Sequence, residues 1–142
     1  MIEGTLVTKL KRIPHDKGDI FHAIKCSDEG FTSFGEAYFS SVNFKDVKGW
    51  KKHTRMVLNL IVPVGSVRFV LFDDRKESLT NGKFFEVTIS RDNYVRLTVP
   101  LGVWVAFQGV DDGLNLLLNI ASIEHDPTES IVKNIKEIPF RW

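Results

Sequence analysis

Among 142 residues there is a single cysteine, Cys26, so no internal disulfide can staple the fold. No apolar run approaches the roughly 20 residues that a spanning helix needs. The longest, Met56 to Val64, is interrupted by Asn59 and Pro63. Neither sign of charge prevails: 19 basic against 18 acidic side chains leave a formal charge of +1, which provides no global field for nucleic acid or an anionic membrane. The segment MIEGTLVTKLKR has no apolar core of the secretion type, and together with the lone cysteine this predicts a cytoplasmic protein. A glycine-rich phosphate loop and a Gly-x-Ser-x-Gly elbow are both missing, which argues against a nucleotide hydrolase and a serine esterase. The four histidines include no His-x-His pair, because Lys51 stands where a partner of His53 would be. Neither a metal nor any other cofactor is expected.

What is present is a succession of short β-like runs rich in Val, Ile, Phe and Thr, separated by turn signals such as Asn81-Gly82-Lys83 and Asp111-Asp112-Gly113. The runs VRFVLFDDR, KFFEVTIS, YVRLTVP and LNLLLNIASI have strand length, and their even spacing predicts an all-β barrel or sandwich. With 43% hydrophobic and 26% charged residues and no linker or repeat, residues 1–142 read as one domain. A chain of this length buries roughly two thirds of its unfolded surface, enough for a complete core. Only Asp126 to Lys136 reads as helical, with Asp126 as cap, Pro127 in the first turn and Ile131 and Ile135 four apart. The stretch IFHAIK is a second candidate for a single helical turn.

Charge is concentrated in KGWKKHTRMVLNL, Lys48 to Leu60, directly before an apolar run. On an extended strand Lys51, His53 and Arg55 project to one face, and a cationic strand end opening into a cavity suits a phosphorylated ligand. Arg68 is a further cation for such a site, while Arg75 in FDDRKES has Asp73 and Asp74 as partners at hand. Asn59 and Asn119 interrupt otherwise apolar strands. Each is either a structural hydrogen-bond hub or a ligand contact. Trp104 is either a core residue or a stacking platform for a sugar or base ring.

Several segments, taken in order, resemble one family. DKGDIFHAIK, FGEAYFSSV, KGWKKH, VPVGSVRFVLFDDR and LTVPLGVWVAF are similar, at matching spacings, to the motifs of the deoxysugar-biosynthesis cupins related to dTDP-4-dehydrorhamnose 3,5-epimerase. The tail HDP…IPFRW most resembles a short epimerase-related subfamily. The resemblance implies a jelly-roll barrel, to which the helical reading of Asp126 to Lys136 adds a short C-terminal helix, together with a homodimer exchanging N-terminal strands, no metal, and a nucleotide-diphosphate sugar, a dTDP-sugar, as ligand. Epimerases of the family remove a proton beside a 4-keto group with a histidine and return one with a tyrosine. Those two positions match Lys51 and Asn119, while His53 falls on a family glutamine. Three functions follow as expectations. The first is an epimerase or ketoisomerase with Lys51 and His53 as catalytic groups and with Arg55, Asn59, Arg68, Trp104 and Asn119 binding substrate. The second is a non-catalytic sugar-nucleotide or glycan-binding cupin, and the third an interaction module.

Overall fold

Period-two alternation of apolar residues, cut by turn residues, produces twelve strands in the computed structural model, which describes residues 1–142. In chain order they are β1 (Leu6–Lys9), β2 (Arg12–Ile13), β3 (Ile20–Phe21), β4 (Glu36–Ser41), β5 (Val47–His53), β6 (Leu58–Val64), β7 (Ser66–Asp73), β8 (Phe84–Ser90), β9 (Val95–Val99), β10 (Val103–Gly109), β11 (Leu116–Ala121) and β12 (Ser130–Val132). Ten of them form two five-stranded antiparallel sheets, β1-β9-β6-β11-β4 and β12-β5-β10-β7-β8, which face each other as a jelly-roll sandwich. β2 and β3 make a separate ribbon.

The core lies between the sheets. Leu58, Leu60 and Val62 of β6 meet Val67, Phe69 and Leu71 of β7 there, all nearly or fully buried. Each such side chain stabilises the fold by about 2 kcal/mol through loss of apolar surface from water. Both sheets are covered on their outer faces as well. Over the first sheet runs the segment after β3: Tyr94 Oη donates to the His22 carbonyl at 2.8 Å, and the buried Arg96 guanidinium donates to the carbonyls of Ala23 and Glu29 at 2.9 and 3.0 Å. Over the second packs the C-terminal tail, whose Ile138, Phe140 and Trp142 cover Trp50, Val70 and Trp104. This double cover explains why the strands are apolar on both faces.

The segment Asp126–Lys136 is not an α-helix. Asp126 Oδ1 accepts from the Thr128 amide at 2.9 Å and closes a turn, and Ser130–Val132 then pair with β5. The open ladder edge of β5 satisfies more backbone groups than an isolated three-turn helix would retain, so pairing wins over local propensity. What remains helical is one 3-10 turn, Ile135–Glu137, capped by Asn134. IFHAIK likewise forms no helical turn, since Ile20 and Phe21 pair with Ile13 and Arg12.

After β7 a tight loop is tied by a buried carboxylate. Asp73 accepts from Arg75 Nε and Nη2, both at 2.8 Å, from Ser78 Oγ at 2.5 Å and from Thr80 Oγ1 at 2.6 Å. Burial alone would raise the Asp73 carboxyl, but these donors outweigh it and hold it far below the usual carboxylate range. No helix is long and apolar enough to cross a membrane.

Candidate functional site

Strict alternation along β5 would separate Lys48 from Lys51 and His53. Its register against β10 does not alternate strictly: Val105 lies opposite Lys51 and Phe107 opposite Lys48, so Gly49 and Trp50 together oppose Ala106. That β-bulge reverses the parity of everything before it. Lys48, Lys51 and His53 therefore share the inward face, while Trp50 joins the outer aromatic layer and Lys52 reaches Asp74 at 2.9 Å. Only glycine fits at position 49, where φ is 141° and a Cβ would lie 2.4 Å from the Ala106 Cβ.

His53 is buried, and its Nδ1 is hydrogen-bonded to the carboxylate of Glu129. Glu129 is itself 3% exposed, and its other oxygen accepts from the backbone N–H groups of Thr54, Arg55 and Met56 at 3.2, 3.1 and 3.3 Å. Burial would raise the Glu129 carboxyl, but the His53 bond and the Arg55 and Met56 amides prevail and lower it. An ionised Glu129 holds the proton on Nδ1 and leaves Nε2 as the basic nitrogen. The turn that replaces the expected helix delivers this carboxylate, with Thr54 Oγ1 donating to the Glu129 carbonyl at 2.6 Å.

The inward face of β5 forms one wall of a cavity of about 330 Å³ at the end of the sandwich where β4 and β12 are edge strands. Its floor is apolar, built from Leu58, Leu60, Val105, Phe107 and Leu117. The opposite wall carries Tyr38 and Ser40 of β4 and Asn119 of β11. Asn119 lies directly across the ladder from Tyr38, and its Nδ2 donates to the Tyr38 phenol oxygen at 3.1 Å. Lys48 Nζ donates to the Ser41 carbonyl at 2.6 Å. No carboxylate lines the cavity. Two ammonium groups and an imidazole over an apolar floor favour a ligand with an anionic end and a ring. No group of three or more His, Cys, Asp and Glu side chains comes together to hold a metal ion.

Of the seven residues singled out in the sequence, Lys51, His53 and Asn119 converge on this cavity, and four stand elsewhere. Arg55 lies beyond the end of β5 at the surface and pairs with Asp126 at 2.5 Å. Asn59 points to the outer face of its sheet, donating to the Gly30 carbonyl at 3.1 Å and accepting from Thr98 Oγ1 at 2.7 Å. Arg68 is on the outer face of the other sheet, paired with Glu86 and lying 5.2 Å from the Phe140 ring centroid. Trp104 is 1% exposed, donates to Asp74 Oδ2 at 2.8 Å and sits between Lys52 and Lys133. Each of these four has protein partners for the groups a ligand would have used. Lys48, Tyr38 and Glu129 are the cavity and dyad residues that sequence reasoning passed over. A glycine inside a strand, as in KGW, is the signal for the first, because it marks a bulge.

No family model matches the chain. Among solved structures, a dTDP sugar isomerase from Desulfovibrio desulfuricans G20 is 38% identical and superposes with a TM-score of 0.95, over 99% of this chain and 92% of that one. A dTDP-4-dehydrorhamnose 3,5-epimerase from Sulfolobus tokodaii shares the fold at 21% identity with a TM-score of 0.86, over 97% and 81% of the two chains. The spore coat polysaccharide biosynthesis protein SpsL of Bacillus subtilis (strain 168) is 24% identical over 146 residues, covering 100% of this chain and 97% of its own.

Proposed function

Because the chain belongs to the dTDP-sugar isomerase and 3,5-epimerase-like cupin family, we propose that it isomerises a nucleotide-diphosphate 4-keto sugar, a dTDP-sugar, by proton transfer in deoxysugar and polysaccharide biosynthesis. The observation that carries the reading is the His53–Glu129 dyad at the wall of a cavity that also presents two lysines, an apolar floor and a neutral polar wall. His53 acts as general base toward a C–H beside the keto group, and Glu129 stabilises the imidazolium that forms. Lys51, on the same face as His53, stabilises the developing enolate oxygen electrostatically. Lys48, at the rim, is placed to meet the diphosphate. In this assignment the base is His53 and not Lys51, since only His53 has a carboxylate behind it.

The reading extends to the rest of the molecule. Residues 1–142 act as one domain in the cytoplasm, in keeping with a free, exposed Cys26. The chain works as a homodimer, which is supported by the exposed Phe34, Phe39, Phe44, Ile131 and Val132 around the β4 and β12 edges.

The test is incubation with dTDP-4-keto-6-deoxyglucose in deuterated water. Deuterium entering C3 or C5 together with an epimer or ketoisomer is the expected result. A His53→Asn variant should lose both by about 100-fold or more while still binding dTDP in calorimetry. Binding of dTDP with no exchange by the wild type selects the non-catalytic sugar-nucleotide-binding cupin instead. Absence of both overturns the reading.

A further inference from the structure

We propose that Asn119 sets the specificity of the site: its free Oδ1 accepts a hydrogen bond from a hydroxyl on the carbon that His53 deprotonates, so the α-hydroxy side of the ketone is selected. The proposal rests on the proton-transfer reading above and adds which of the two carbons beside the keto group reacts. In dTDP-4-keto-6-deoxyglucose these are C3, which carries a hydroxyl, and C5, which carries a methyl group and the ring oxygen.

Three observations single out this oxygen. The first is its lack of a partner. Leu117, Asn119 and Ala121 are the buried positions of β11, and the two neighbours belong to the apolar core between the sheets. An amide placed there has to find partners for both of its ends. The other two buried asparagines do so within the protein. Asn59 uses Gly30 and Thr98, while Asn115 accepts from the Ser66 amide at 3.0 Å and donates to the carbonyls of Val42 and Asp111 at 3.2 and 2.8 Å. Asn119 satisfies one end only: Nδ2 donates to the Tyr38 phenol oxygen at 3.1 Å, and Oδ1 is buried without a protein partner. The other buried side-chain atoms left unpaired, Thr5 Oγ1, Arg96 Nε and Trp142 Nε1, belong to residues outside the cavity.

The second observation is that the cavity is poor in acceptors. Lys48 and Lys51 only donate, the Tyr38 oxygen already receives the Asn119 N–H, and Ser40 Oγ lies 3.5 Å from Lys48 Nζ at the rim. Besides the His53 nitrogen, Asn119 Oδ1 is the side-chain acceptor left for a sugar hydroxyl. The third is its position. Asn119 stands on the sheet opposite His53, with the cavity between them. At a tetrahedral carbon whose C–H points to His53 Nε2, the other three bonds lean toward the opposite wall, and a hydroxyl among them faces Asn119. A methyl group in that place would leave Oδ1 unpaired and dry. Tyr38, 42% exposed on edge strand β4 and bonded at its hydroxyl to Asn119 alone, is the neighbour that gives way as the hydroxyl enters.

The experiment follows deuterium entry at C3 and C5 by NMR for wild type and Asn119→Leu, on dTDP-4-keto-6-deoxyglucose and on its 3-deoxy analogue. Leucine matches the amide in size and lacks the acceptor, so urea unfolding should keep the same or a higher midpoint. In the wild type, deuterium should enter the hydroxylated substrate at C3 at least about tenfold faster than at C5. The wild-type preference for that substrate over the 3-deoxy analogue, in kcat/KM for exchange at C3, should exceed the preference of Asn119→Leu by at least about tenfold. The inherent difference in acidity between the two sugars acts on both proteins alike and cancels in this comparison. Affinity for dTDP in calorimetry should stay within about threefold, since Asn119 meets the sugar and not the nucleotide.

Equal preferences in the two proteins, within about threefold, overturn the proposal, because Oδ1 then meets no more than an enclosed water. So does deuterium entry at C5 as fast as at C3. A fall in dTDP affinity of more than about tenfold in Asn119→Leu also overturns it, since the amide would then be supporting the cavity as a whole. A wild type that binds dTDP but exchanges neither carbon overturns the proton-transfer reading itself, and the specificity role with it.

Discussion

Replacing Glu129 with glutamine would remove the charge behind His53 while keeping nearly the same shape. Two effects should separate. The carboxylate that receives three backbone N–H groups would be reduced to one amide oxygen, destabilising the fold by about 2 to 3 kcal/mol in urea unfolding at pH 7. Turnover should fall by about tenfold to 100-fold because the imidazole tautomer is no longer fixed. The pH dependence follows from the lowered carboxyl. A group with a folded pKa below its ordinary 4.5 stabilises the protein fully above that value and loses the contribution as pH falls through the folded pKa. Wild type should therefore lose stability progressively below about pH 4.5, and Glu129→Gln should lose less over that range. Parallel losses in both proteins would show that Glu129 is not the group responsible.

Among the elements, β5 and the loop after β7 make the sharpest demands on sequence. Gly49→Ala places a methyl against Ala106 and asks a non-glycine residue to hold a φ of 141°. The cost should be about 3 kcal/mol. If the strand relieves it by expelling the bulge, Lys48 turns to the outer face and dTDP affinity falls along with stability. Unfolding and calorimetry on one preparation measure both. In the loop, Asp73→Asn leaves Arg75 without its buried partner and should cost about 3 kcal/mol at neutral pH. Because the Asp73 carboxyl is depressed well below its ordinary 3.8, its contribution persists above that pH and disappears only in stronger acid. The variant should accordingly show a flatter stability profile below about pH 4. Elements also show where sequence patterns mislead. The spacing of Ile131 and Ile135 fits a helix, yet β5 offers Ser130–Val132 a ladder, and the non-local pairing prevails.

For the whole molecule the expected assembly is a dimer through the β4 edge. Light scattering at about 50 μM should give twice the 16.2 kDa chain mass, and Phe39→Asp, which charges a side chain 61% exposed on that edge, should give a monomer. A monomeric wild type would refute the assembly.

At the same scale lies the division between what could be read from the residues and what could not. Composition, turn residues and β-branched runs were sufficient for an all-β barrel or sandwich, the family resemblance narrowed it to a jelly roll, and KGWKKH located one wall of the cavity, because alternation from Lys51 to His53 is local. Which face each central strand turns inward was not legible. β7 and β10 are apolar on both sides, since the tail packs outside one sheet as the core packs inside, so hydropathy assigns neither Arg68 nor Trp104 to a face. Asn59 and Asn119 look alike in sequence, each a lone amide in an apolar strand. The sheet pairing sends the first outward to Gly30 and Thr98 and the second inward to Tyr38. Arg55 was misplaced for a simpler reason, because β5 ends at His53 and alternation stops with it. The sequence by itself determined the long central strands, their turns and the cationic stretch, which depend on near neighbours, but not β3 or β12, which it reads as helical. Only the tertiary structure decided the bulge that turns Lys48 inward, the Glu129 behind His53 and the Asn119–Tyr38 contact on the opposite wall, because these depend on pairing between segments more than 50 residues apart.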